Sequence, residues 1–215
     1  MNRRAVLAST GVVGLAGLSG CLGLAGLDEH ESKPAGVDRS VLDDTGYDQT
    51  GVEPLSIQEE FDAVLFSESV SVTNHMTEHD KEVEIPGVGS QRAATFVVLT
   101  TPQVSVLGRE LNPVGEMSTR ELVDLVADNY DDIGDPRPVG EEEVTVFGET
   151  TMMSRYSTQA DFDGTELDVL MHVTTAVETE DDLLFTVGVY PEDLEDVESD
   201  NIVALAEGVI GDAHE

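Results

Sequence analysis

Basic side chains are scarce in this sequence. Among 215 residues only 10 are Lys or Arg, against 45 Asp or Glu, and the formal net charge is −35. Lysine occurs twice, at Lys33 and Lys81. A chain with no basic footprint is no partner for nucleic acid. An anionic lipid surface would likewise repel it rather than hold it. Tryptophan is absent and Cys21 is the single cysteine, which excludes an internal disulfide framework. There is no nucleophile elbow, phosphate loop or dinucleotide fingerprint. Sequence motifs therefore assign neither catalytic residues nor a cofactor.

What is present begins at the N-terminus. Arg3 and Arg4 precede an uncharged core from Ala5 to about Leu18, and Ser19-Gly20 lead into Cys21. A basic start, a short apolar core and small residues before a cut compose a secretory signal. Asn2-Arg3-Arg4-Ala5-Val6-Leu7 looks like a twin-arginine export signal. Leu18-Ser19-Gly20-Cys21 resembles a lipobox, in which the cysteine thiol receives a lipid and becomes the new N-terminus. On this reading residues 1–20 are a signal peptide and 21–36 a lipidated tether, with Pro34 and Gly36 among acids. The alternative is an uncleaved anchor, since Ala5 to Leu27 carries no charge and roughly 20 apolar residues can span a bilayer. Six glycines at every third position from Gly11 to Gly26 are many for a stable span. The alternative also leaves the lone cysteine without a role. Either way, basic residues before the run and acids after it place the bulk of the chain outside.

Removal of residues 1–20 would leave 8 Lys and Arg against 45 Asp and Glu, a net charge of −37. Apolar residues still make up 40% of the sequence and fall in periodic runs, so residues 37–215 form one domain with a proper core. Asp38 to Asp44 is a short helix ended by Thr45-Gly46-Tyr47. Ser56 to Glu59 fits a capping box before Phe61, Val64 and Leu65, although the same residues also alternate as a strand. Val70 and Val72 pair with Val83 and Ile85, with Asn74 to Lys81 connecting them. Ala93 to Thr100 is the apolar run of a central strand, ended by Pro102. A second capping box at Ser118 to Glu121 opens a helix through Leu122, Val123, Leu125, Val126 and Tyr130 to Gly134. Val144 to Phe147 and Met152 to Gln159 are strands, and Phe162-Asp163-Gly164 is a hairpin turn. Residues 167–177 alternate cleanly, and Glu180-Asp181-Asp182 turns them into an antiparallel partner at 183–190. A last helix, capped by Ser199, carries Ile202, Leu205, Ala206, Val209 and Ile210. The order predicts an α+β sandwich, an antiparallel β-sheet flanked by helices.

The export signal, the lipobox, Thr45-Gly46-Tyr47, Thr100-Thr101-Pro102 and Asn112-Pro113 resemble a family of haloarchaeal lipoproteins of unknown function. The element order from Ala93 to Ile210 is similar to the photosystem PsbP-like fold. Neither resemblance implies catalytic residues.

Four constellations in the domain invite a chemical reading. His75-Met76-Thr77-Glu78-His79 matches the inverted zinc-protease motif, in which two histidines one helical turn apart hold zinc and the glutamate activates water. Placed between Val70/Val72 and Val83/Ile85, it is expected at a solvated hairpin end. Asp161-Phe162-Asp163-Gly164 hints at a calcium loop but lacks the twelve-residue frame. His172 lies on the polar side of its strand beside Asp168 and Thr174, where packing under a helix is the default. Ser118 is a helix cap before it is a nucleophile, and Tyr47, Tyr130, Tyr156 and Tyr190 are core-edge aromatics.

The expected protein is thus a lipoprotein on the extracytoplasmic face of the membrane, held by the lipid on Cys21. Its expected role is that of a non-enzymatic module binding an envelope protein or small ligand. The alternative is a surface-anchored zinc hydrolase using His75, Glu78 and His79. Its acidity suits high salt, where like charges are screened. The melting temperature should therefore fall as salt is lowered from about 1 M to about 0.1 M, while the Debye length grows from about 3 to about 10 Å. A flat melting temperature across that range would refute this account of the charge.

Overall fold

The computed structural model describes residues 29–63, 66–85, 89–103, 105–106, 109–110, 114, 117–123, 134–162, 165–211 and 213. The first elements are β1 (Glu29–Glu31), β2 (Gly36–Val37), α1 (Arg39–Thr45), β3 (Asp48–Ala63), β4 (Phe66–Ile85) and β5 (Gly89–Pro102). The short pair β6 (Ser105–Val106) and β7 (Arg109–Glu110) follows, and then the helical residues 119–123, α2. Next come β8 (Arg137–Val146), β9 (Glu149–Phe162), β10 (Thr165–Thr174), β11 (Val177–Glu178) and β12 (Asp182–Pro191). The chain closes with α3 (Glu195–Glu207) and β13 (Val209–Ile210).

A nine-stranded sheet is the frame, in the order β1-β4-β5-β12-β10-β9-β8, with β3 also on β4 and β11 on β12. Its pairings are antiparallel except that β1 runs parallel to β4. One face buries Phe96, Val98, Leu170 and Tyr190 with Leu42 of α1 and Ile202, Leu205 and Ala206 of α3. The other buries Tyr156, Met171, Val173, Phe185 and Val187 with Leu122 and Val123 of α2. Because both faces are covered at its centre, β5 needs apolar residues at successive positions. The chain forms the expected sheet flanked by helices, but the parallel β1 makes that sheet mixed rather than wholly antiparallel.

Local chemistry explains the helix ends. Asp38 caps α1 by accepting from the Ser40 N–H at 2.8 Å, and Gly46 ends it at φ 77°, with its N–H on the Leu42 carbonyl at 2.8 Å. Few residues other than glycine take that backbone angle without strain. Residues 167–177 and 183–190 are adjacent antiparallel partners, in register from Val169 opposite Pro191 to Val173 opposite Val187. The pairing resumes with Val177 opposite Leu184.

Four expectations need correction. Residues 56–63 are strand, so the period-two alternative holds there and the capping box does not open a helix. Asn74 to Lys81 is no connection but the middle of a 20-residue strand, bonded to β3 on one side and β5 on the other. Polar side chains broke the apolar pattern there, while the backbone ladder ran on. The tether does not extend to residue 36, because β1 and β2 are already paired into the domain and Ser32 and Ala35 are buried. Ser199 is inside α3 rather than at its cap. The helix starts at Glu195 after a 3-10 turn, with Glu195, Asp196 and Glu198 in its first turn, where the helix dipole favours acids. Residues 125, 126 and 130 of the expected Ser118 helix lie outside the described residues.

Helix α3 lies unusually close to the sheet. A Cβ added to Gly188 of β12 would stand 2.7 Å from both Cδ1 and Cγ2 of Ile202. Gly188→Ala should therefore destabilise the domain by about 1–3 kcal/mol through overpacking, measured by denaturant unfolding. Unchanged stability would show that α3 can lift off without cost.

Candidate functional site

The residues singled out from sequence do not converge. Arg3, Arg4 and Cys21 lie outside the described residues. His75, Glu78 and His79 stand on the extended β4, where side chains alternate and each residue advances about 3.3 Å. His75 and His79 are therefore about 13 Å apart along one face, and Glu78 is on the other. Two histidines one helical turn apart are what the zinc motif requires, and a strand cannot supply them. The buried His79 places Nδ1 3.1 Å from the Phe96 carbonyl, so that nitrogen carries the proton. Burial, with Asp80 and Glu53 nearby, raises the Glu78 pKa. Among the described residues no group of three His, Cys, Asp or Glu is arranged to hold a metal ion. The side chain of Asp161 is not described, and the pairing of Phe162 with Thr165 makes this end of β9 and β10 a hairpin.

His172 is packed under α3. It is 1% exposed, with Nε2 2.8 Å from the Tyr190 hydroxyl and Nδ1 3.4 Å from Met153 Sδ. Burial, and then the positive Arg155, lower its pKa to about 4. Burial also raises Tyr190 to about 12. Ser118 is a cap: its N–H and hydroxyl donate to Glu121 Oε2 at 2.9 and 2.7 Å, which holds that carboxyl below its usual range. Tyr47, Tyr156 and Tyr190 belong to the core.

Two polar clusters escaped the sequence, and each contains one of the two lysines. The first lies where the chain enters the domain. Ser32 is 2% exposed, and its hydroxyl donates to the Thr100 carbonyl at 3.0 Å while standing 3.2 Å from His75 Nδ1. His75 Nε2 is 3.7 Å from Glu31. The Lys33 N–H donates to Asp182 Oδ2 at 2.9 Å, and its ammonium meets Asp181 at 3.0 Å. Burial raises the Asp182 pKa, and the Lys33 N–H opposes that rise. Ser32, His75 and Glu31 have the composition of a hydrolytic triad. Activation would require the serine proton to pass to the imidazole. Here the Thr73 and Thr100 carbonyls are competing acceptors for that proton and the oxygen is sealed from solvent, so the cluster is a seam fastening β1 to β4 and β5.

The second cluster centres on Glu198 of α3, 3% exposed. Its Oε1 accepts from Lys81 Nζ at 2.7 Å, and its Oε2 from the Tyr47 hydroxyl at 2.9 Å and Asn201 at 3.1 Å. The Lys81 ammonium also lies 5.4 Å from the centre of the Tyr47 ring. Burial and the adjacent Glu198 charge drive the Tyr47 pKa upward. The scarcity of lysine was the available sequence signal, for both lysines are committed to ion pairs.

Two covered faces, a sealed entry seam and a buried ion pair define an α+β module whose polar clusters fasten its own elements together. The chain belongs to the family described as a domain of unknown function, DUF6517, whose model matches residues 34–210. No curated protein matches it. Among solved structures, the solution structure of cyanobacterial PsbP from Synechocystis sp. PCC 6803 is similar at 16% identity and a TM-score of 0.36, over 95% of this chain and 98% of that one. Among the described residues no helix is long and apolar enough to cross a membrane.

His172 makes stability depend on pH. Its folded pKa of about 4 lies below the ordinary 6.5, so between those values the unfolded chain binds the extra proton. Stability is therefore lost as pH falls from about 6.5 to about 4, by about 3 kcal/mol from this group. His172→Gln should flatten that part of the unfolding free energy against pH relative to wild type. An unchanged slope would show that His172 is not buried neutral.

Proposed function

We propose that this protein is a lipoprotein of the extracytoplasmic membrane face, exported through its twin-arginine signal and held by lipid on Cys21. Its domain serves there as a non-enzymatic binding or accessory module. The observation that carries the reading is the joint spacing of Arg3-Arg4, one apolar core and Cys21. The entry seam supports it. Only residues 22–28 separate Cys21 from β1, so a lipid on Cys21 would hold the domain close against the bilayer. Support for a non-enzymatic role comes from the polar clusters, whose donors and acceptors are spent on fastening elements together. The net charge of −35 fits work in a salt-rich medium, where screening is strong.

Two acyl chains give stable attachment where one is marginal, and a lipobox cysteine carries a two-chain glycerolipid. Cys21→Ser should move the protein from the membrane to the soluble fraction, or leave an unprocessed precursor. Full membrane retention of Cys21→Ser, with residues 1–20 still present on the wild-type chain, would contradict the proposal and favour the uncleaved span.

A further inference from the structure

Two long strands, β3 and β8, pair on one side only among the described residues. A strand paired on one side presents N–H and C=O groups of alternate residues to whatever comes alongside. Natural sheets block such edges with proline, bulges or charge. Where β3 backs onto the full sheet, opposite His75 to Asp80, it carries a bulge between Gln49 and Gly51 and also Pro54, which has no N–H to offer. In β8 the interruptions come early, at Pro138 and at the bulge between Pro138 and Gly140. From Gly140 to Val146 its pairing with β9 is unbroken, and no proline interrupts the outer edge. That part of β3 is blocked, whereas β8 is open.

The side chains along the open edge select what can use it. Glu141, Glu142 and Glu143 are all exposed. Successive residues of a strand change face, so Glu141 and Glu143 share one face with Thr145. Glu142 shares the other with the buried Val144 and Val146. Exposed apolar residues, Val139 and Phe147, stand at the two ends, about 26 Å apart along the strand. Arg155, opposite Gly140, is already paired with Glu195, and Arg137 precedes the bulge. The stretch from Gly140 to Val146 itself carries only negative charge.

Charge decides between the strands that could pair there. A second copy in symmetric antiparallel pairing would set these acids against each other, and like charges across neighbouring strands are destabilising. A strand with Lys or Arg at alternate positions instead meets Glu141 and Glu143 on one face. Its intervening apolar residues extend the face of Val144 and Val146. We propose that the outer edge of β8 is the docking edge of this module, and that it takes an extended, basic segment of a partner protein as an added strand. Main-chain hydrogen bonds supply the affinity in such strand addition, and side chains at alternate positions supply the choice of partner. In molar salt, charges more than about 3 Å apart are screened, so there the acids act only on a strand already in contact. The inference rests on the reading of this domain as a binding module, and it names the surface and the partner chemistry.

The probe is an acetylated peptide of about eight residues in which lysine and valine alternate. It is added to the full chain at a salt concentration where circular dichroism shows the fold intact, and amide hydrogen exchange is read along the whole domain. The outward-facing amides between Gly140 and Val146 should slow by at least about tenfold with peptide present, and binding should weaken as salt is raised. A peptide of the same charge, methylated at every backbone nitrogen, should protect nothing, because it cannot complete the ladder. The triple variant Glu141→Gln, Glu142→Gln, Glu143→Gln, changed only at exposed positions, should keep the fold and bind the peptide at least about tenfold more weakly. Unslowed amides at 140–146, protection confined to another strand, equal protection by the methylated peptide, or unchanged affinity in the triple variant each overturns the inference. So does protection of 140–146 that needs no peptide and grows with protein concentration, which would mean that the edge pairs with a second copy. Cross-linking in the exporting cells tests the module reading separately. A partner held only at a face other than β8 contradicts the inference alone, and no partner at any face contradicts both.

Discussion

Helix α3 is held to the sheet by the apolar packing of Ile202, Leu205 and Ala206, by the Arg155–Glu195 ion pair, and by a buried ion pair, Lys81 with Glu198, in a chain where acids outnumber bases by 45 to 10. A carboxylate taken out of water needs every lone pair satisfied. Glu198 meets that need with Lys81, Tyr47 and Asn201. The three partners come from β4, the Tyr47 position between α1 and β3, and α3 itself, so the network ties the N-terminal helix–strand unit to the C-terminal helix. Removal of one member of such a pair typically costs about 3–5 kcal/mol, although the intact pair adds little over an apolar contact. The value of the pair is thus positional. Four residues further along α3 from Glu198, Ile202 packs closely over Gly188.

The second lysine does similar work at the other end of the sheet. Lys33 brings its backbone N–H to Asp182 and its ammonium to Asp181, beside the buried Ser32 that bonds the Thr100 carbonyl. The result is a fixed entry point for the chain. The first described strand starts at Glu29, before the family match begins at residue 34. On the lipoprotein reading, anchor and first described strand are separated by only residues 22–28.

Much of this architecture was legible because local chemistry and global fold agree. Asp38 and Gly46 bracket α1, the apolar run in β5 marks a strand covered on both faces, and the alternation of β10 and β12 sets their register. Where the reading failed, tertiary context overrode local pattern. His75 to His79 looked like the end of a hairpin because polar residues interrupt the apolar period, yet β3 and β5 supply the ladder that keeps β4 extended. Ser199 looked like a cap, but the helix starts earlier, and the serine bonds Tyr190 instead. The clusters around Ser32 and Glu198 join residues up to 151 positions apart, and no spacing rule within one element reveals such pairs.

The central claim is that Cys21 ends the mature chain and carries the lipid that holds this acidic domain to its membrane. The intact mass of the protein purified from membranes of the cells that export it tests that claim most directly. The predicted mass is that of residues 21–215 plus one two-chain glycerolipid joined through the Cys21 thioether. A mass equal to unmodified residues 1–215 would contradict it.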